Sequence, residues 1–67
     1  MNFAQALMAV HNGKIVTCEL WKSEGYHIRK DSFGRLVWFN GKAYEDVDVA
    51  TLAMWVRQDY ESWELAQ

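Results

Sequence analysis

The sequence has no proline, one cysteine and four glycines in 67 residues. It has no low-complexity stretch and no internal repeat. Nothing therefore marks a linker or a domain boundary, and residues 1–67 read as a single domain. One cysteine, Cys18, excludes an intrachain disulfide, and the unpaired thiol fits a reducing compartment. His11 and His27 have neither Cys-x-x-Cys nor His-x-x-x-His spacing around them, so no structural zinc or other cofactor is expected. No apolar run approaches the roughly 20 residues of a membrane span. Met1-Asn2-Phe3-Ala4 lacks the basic start and apolar core of a secretion signal. The expectation is a cytoplasmic protein without a membrane partner. A basic stripe is also missing. The net charge is −2, and the nearest thing to a cationic cluster is Arg29, Lys30 and Arg35. A nucleic-acid polymer is not an expected partner.

Aromatic residues are abundant. They make up 15% of the chain and include Trp21, Trp38, Trp55 and Trp63. A chain this short buries only about 60% of the surface its unfolded form exposes. Small domains therefore tend to need a disulfide, a metal or a partner subunit. With the first two missing from the sequence, an aromatic-heavy core and self-association remain. Each large aromatic buries about 150–250 Å², worth roughly 4–6 kcal/mol by area. Enclosing all four tryptophans in so small a domain is difficult, so some are expected at an interface or in a pocket. A dimer or tetramer with an apolar interface follows.

The residue pattern predicts an α+β fold. Phe3, Leu7 and Val10 recur at helical spacing. Asn2 and Gln5 form a variant of the capping box, and Asn12-Gly13 ends the helix. A strand is expected from Lys14 to Trp21. Val16, Cys18 and Leu20 form its core face; Ile15, Thr17, Glu19 and Trp21 form a mixed face. A turn at Lys22–Gly25 leads to a second strand, Tyr26 to about Lys30. Asp31–Gly34 turns into a third, Arg35 to Phe39. One of Trp38 and Phe39 should face the core, because successive side chains alternate. Asn40-Gly41 predicts a two-residue type I′ hairpin turn that pairs Phe39 with Lys42. The fourth strand runs from Lys42 to about Val47. Asp48 can cap a helix carrying Val49, Leu52, Ala53 and Val56, although Val, Thr and Trp over 48–58 also suit a strand; the helix is favoured. Trp63-Glu64-Leu65 can add a closing strand.

No side chain stands in an obvious catalytic motif. Ser23, Ser32, Ser62 and Cys18 are the first nucleophiles to consider, and none has a G-x-S-x-G setting. Cys18 reads as a core thiol. His11 and His27 read as surface or capping residues. Glu45-Asp46-Val47-Asp48 lacks the glycine and the bidentate glutamate spacing of a calcium loop and reads as a solvated strand end. Trp21, Tyr26 and Trp63 border turns and element ends, where an aromatic face can meet a planar ligand.

The segments Asn2-Phe3-Ala4-Gln5-Ala6-Leu7, Asn12-Gly13-Lys14, Val16-Thr17, Trp21 and Gly25-Tyr26 together resemble the opening of the Thoeris anti-defence sponge family of bacteriophages. That family reads Asn-Phe-x-x-Ala-Leu, a short helix, Gly-Lys, a strand ending in Trp, then a Gly-aromatic or Gly-Met strand. Asp59-Tyr60-Glu61-Ser62-Trp63-Glu64 is similar to its acidic ending into Asp-Trp. The resemblance covers about the first 28 residues well and the last nine loosely. Cys18 stands where an Arg is frequent, Ser62 where Asp is usual, and the longer central insertion is missing. The resemblance implies a viral, cytoplasmic homo-oligomer. Such a protein holds a cyclic nucleotide immune signal, notably a cyclic ADP-ribose isomer, in pockets between subunits, without cleaving it. It implies Trp21 as a base-stacking platform and Asp59 or Trp63 as pocket-closing residues. Residue chemistry adds Tyr26 as an aromatic face and Arg57 as a phosphate-pairing cation. The other readings are a protein–protein interaction module that inhibits or recruits a host protein through an exposed aromatic patch and, behind it, a small hydrolase or accessory enzyme subunit.

Overall fold

A computed structural model describes residues 1–57 and 61–66. Helix α1 spans Phe3–His11. Its capping box is complete: the Gln5 amide donates to Asn2 Oδ1 at 2.8 Å, and the Asn2 amide donates to Gln5 Oε1 at 2.9 Å. Gly13, at φ +88°, ends the helix, and its amide donates to the Val10 carbonyl. Phe3, Ala6 and Val10 form the buried stripe.

Five short strands follow: β1 (Val16–Cys18), β2 (His27–Lys30), β3 (Leu36–Phe39), β4 (Tyr44–Asp46) and β5 (Trp63–Leu65). They form one sheet in the order β4-β3-β2-β1-β5, with every neighbouring pair antiparallel. Helix α2 (Val49–Trp55) precedes β5, and the Asp48 side chain caps it by accepting from the Thr51 amide at 2.7 Å. The α+β class, a helix instead of a strand after Asp48 and the closing strand agree with the sequence pattern. Among the described residues, no helix is long and apolar enough to cross a membrane.

Two expectations need correction. The first strand stops at Cys18 instead of running to Trp21, because the Trp21 amide donates back to the Cys18 carbonyl at 2.9 Å. This turn resets the alternation. Leu20, expected in the core, is 61% exposed, and Trp21, expected on the mixed face, is buried. The second correction is the hairpin. Phe39 pairs with Tyr44, not Lys42, so Asn40–Ala43 is a four-residue loop. Asn40 has negative φ, and Gly41 alone in the loop is positive, at +95°. The Asn40 side chain instead accepts from the Lys42 and Ala43 amides, both at 3.0 Å. An Asx-type loop has displaced the type I′ turn.

Pairing sorts the sheet into two faces. Val16, Cys18, Ile28, Trp38 and Trp63 point toward the helices and meet Phe3, Val10, Leu52 and Val56 in the core. Trp63 is the largest fully buried side chain. An aromatic chain crosses this layer: Phe3 on Trp63 (5.9 Å between ring centroids), Trp63 edge-on to Trp21 (5.3 Å), Trp21 to Trp38 (6.5 Å), and Trp38 to Trp55 (4.7 Å). The opposite face carries Thr17, His27, Arg29, Val37, Phe39 and Tyr44.

Candidate functional site on the open sheet face

Period-2 alternation brings His27 and Arg29 of β2, Phe39 and Val37 of β3, and Tyr44 of β4 onto the open face. His27 stacks on Phe39 with ring centroids 5.1 Å apart and planes 18° from parallel. Its Nδ1 lies 3.0 Å from the Gly25 carbonyl, which only accepts, so Nδ1 carries the proton. Its Nε2 lies 2.6 Å from the Tyr44 hydroxyl. Tyr44 also packs against Phe39 at a tilt of 55°, and the Arg29 guanidinium lies over the Tyr44 ring, 5.9 Å from its centroid. Four side chains from three strands thus hold one another in place.

Clefts lie on both sides of the His27–Tyr44 bridge. One, of about 370 Å³, is lined by Arg29, Lys30, Asp31, Ser32, Val37 and Tyr44. The Asp31 carboxylate organises its rim by accepting from the Phe33 and Arg35 amides and from Arg35 Nε, at 2.9–3.0 Å. The Arg35 amide first, then the Phe33 amide and the guanidinium, holds the Asp31 carboxyl below its ordinary pKa. The other cleft, of about 280 Å³, lies by Thr17, Lys22, Tyr26 and His27. Here the Lys22 ammonium pairs with Glu64 at 3.0 Å, and that carboxylate raises its pKa. The Thr17 hydroxyl donates to the Tyr26 carbonyl at 2.7 Å.

The residues singled out from the sequence are distributed differently. Trp21 and Trp63 meet each other inside the core, at 8% and 1% exposure. Tyr26 is half-buried; its ring meets Trp38 edgewise at 5.6 Å, and the residue borders the smaller cleft. Arg57 is exposed beyond the end of α2. Asp59 lies outside the described residues. The structure therefore joins Trp21, Trp63 and, through Trp38, Tyr26, but leaves them on the helix side of the sheet. The open-face group was missed. Its signal is the alternation His27/Arg29 and Val37/Phe39, and seeing it as one group requires the register of β4.

Burial pushes the Cys18 thiol pKa up, against weaker lowering by the Leu20 and Trp21 backbone. Among the described residues, no cluster of three His, Cys, Asp or Glu side chains can hold a metal ion.

In class, then, this is a small α+β protein: a five-stranded antiparallel sheet with helices on one face and an aromatic, cation-edged cluster on the other. No protein-family model matches the chain, and neither a curated protein nor a solved structure matches it.

Proposed function

We propose that the protein is a non-catalytic sponge: a cytoplasmic, phage-type homo-oligomer that binds a cyclic nucleotide signal and holds it intact. The observation that carries this reading is the open-face cluster. A nucleotide presents a flat base and an anionic phosphate. The Tyr44 and His27 rings offer aromatic surface, and Arg29 offers a cation beside a 370 Å³ cleft floored by Val37. Binding without turnover asks nothing more of the chain than such a face and a few donors. The base is assigned here to Tyr44 and His27, with the phosphate toward Arg29.

Calorimetry with cyclic ADP-ribose isomers and cyclic dinucleotides tests the reading, followed by mass spectrometry of ligand released on denaturation. The wild type is expected to bind at least one of them and return it intact. Tyr44→Ala removes a stacking surface worth roughly 1–3 kcal/mol, a loss of about 5- to 150-fold in affinity. Failure of the wild type to bind any of them at tens of micromolar sinks the sponge reading; recovery of a cleaved product makes the protein an enzyme. The second reading, an interaction module that captures a host protein, draws on α2, where Trp55 is 46% and Met54 84% exposed.

A further inference from the structure

His27 is held from three directions. Its Nδ1 lies 3.0 Å from the Gly25 carbonyl, its ring lies nearly flat on Phe39, and its Nε2 lies 2.6 Å from the Tyr44 hydroxyl. Each contact tolerates the imidazolium. A carbonyl accepts from Nδ1–H in either charge state, a phenyl face attracts a cation, and a phenol oxygen accepts as well as donates. Only the direction of the Tyr44 bond depends on the charge of the ring. With the ring neutral and its proton on Nδ1, Nε2 is an acceptor and engages the Tyr44 proton. With the ring protonated, Nε2–H donates to the Tyr44 oxygen, and the phenolic proton is free for another acceptor. Tyr44 is half-exposed and lines the 370 Å³ cleft together with Arg29.

We propose that His27 and Tyr44 form a proton-operated donor in the anion-binding cleft: protonation of His27 frees the Tyr44 hydroxyl to donate to a phosphate oxygen of the ligand and tightens binding. This rests on the nucleotide reading of the open face and adds regulation to it. The charges around His27 fix the sign. On its own strand, Arg29 lies over the Tyr44 ring, 5.9 Å from the centroid, and has no carboxylate partner among the described residues. Thr17 of β1 borders the smaller cleft with His27, and its hydroxyl is engaged by the Tyr26 carbonyl. In that cleft Lys22 is neutralised by Glu64 of β5 at 3.0 Å. Strand β3 offers the Phe39 ring and β4 the Tyr44 hydroxyl, while Asp31 and Asp46 are both held by Arg35. An imidazolium beside Arg29 is therefore a second positive charge without a counter-ion. A bound phosphate supplies one, so ligand and proton each favour the other's binding. The hydrogen bond to Glu64 raises the Lys22 pKa, and the Arg35 amide leads the causes that lower the Asp31 pKa. Both groups are thus moved away from the range of about pH 5 to 8 in which histidine changes charge.

Calorimetry with a cyclic dinucleotide and a cyclic ADP-ribose isomer tests it on the full chain, because the phosphates of both keep their charge over the range used. Wild-type affinity should rise about tenfold from about pH 8 to about pH 5.5, the scale of one hydrogen bond to a charged group. Titrations in buffers of different ionisation enthalpy should show the complex taking up a fraction of a proton. His27→Gln should abolish both the pH dependence and the uptake. Tyr44→Phe should shrink the pH dependence, leaving only the charge of the imidazolium. His11→Gln, at the other of the two histidines, should keep the wild-type ratio of affinities. A wild type that binds equally at both pH values overturns the proposal and leaves the nucleotide reading standing. So does a pH dependence that survives His27→Gln, is undiminished in Tyr44→Phe or disappears with His11→Gln. A wild type that binds neither probe at either pH, at tens of micromolar, overturns the nucleotide reading and this proposal together.

Discussion

The tryptophans differ in what each side chain has given up to the core. Trp63 is 1% exposed, and its indole Nε1 has no hydrogen-bond partner among the described residues. Its ring stands edge-on to Trp21, at 88°. A buried donor without a partner costs about 1–3 kcal/mol; the large apolar area of the ring must outweigh it. Trp21 serves the same layer, touching both Trp63 and Trp38. Trp21→Ala is therefore expected to lower stability by about 3–5 kcal/mol, the range for emptying a large aromatic site. Trp55→Ala, at a half-exposed ring, should cost much less. Urea unfolding of the two variants checks this. A Trp21→Ala protein that unfolds like the wild type would show that Trp21 is not a core residue.

Among the elements, the β3–β4 connection shows how one loop sets a site. The expected two-residue turn would have placed Tyr44 opposite Val37; the observed loop places it opposite Phe39. The shift is by two residues, so Tyr44 keeps its face of the sheet and changes only its neighbour. That change brings its hydroxyl to His27, which pairs with Phe39. Gly41 makes the loop possible through its φ of +95°. A Cβ there would meet only the Tyr26 ring, at 3.5 Å, an ordinary contact. The penalty for Gly41→Val is therefore conformational, about 1–2 kcal/mol, and arises from a β-branched residue at positive φ. Thermal unfolding should show a lower midpoint for Gly41→Val and a smaller loss for Gly41→Asn, which tolerates positive φ better. An equal loss in the two would point away from the backbone as the cause.

For the whole molecule, acid should weaken the fold through two carboxylates. Asp31 clamps the β2–β3 loop, and Asp48 caps α2; hydrogen bonds from the Arg35 amide and the Thr51 amide respectively lead the causes that lower their pKa values. A carboxylate whose folded pKa is depressed stabilises fully above its unfolded pKa of about 3.9, and the contribution is lost as pH falls through the folded value. Both losses belong to the range below about pH 4. The double variant Asp31→Asn/Asp48→Asn keeps an acceptor oxygen at each position and removes the charge. Its melting temperature should fall less steeply than that of the wild type between about pH 5 and pH 2.5. Parallel curves for the two proteins would assign acid sensitivity to other groups.

What local chemistry governs was legible in the sequence: the capping box at Asn2 and Gln5, the Gly13 stop, the Asp48 cap, and the alternation that separates Trp38 from Phe39. Each depends on residues within a few positions of one another. The Cys18 turn and the Asx loop at Asn40 are also local, but they arise from competing backbone and side-chain hydrogen bonds that a residue pattern leaves undecided. Strand order and cross-strand register were beyond local reading. β5 joins β1 from the far end of the chain, with the Trp63 amide donating to the Met1 carbonyl at 3.2 Å. Only the assembled sheet decides that Trp21 and Trp63 share a core while His27, Arg29, Phe39 and Tyr44 share an open face. Faces and neighbours in a sheet follow from pairing between distant segments, and pairing is settled by how the whole chain buries its apolar surface.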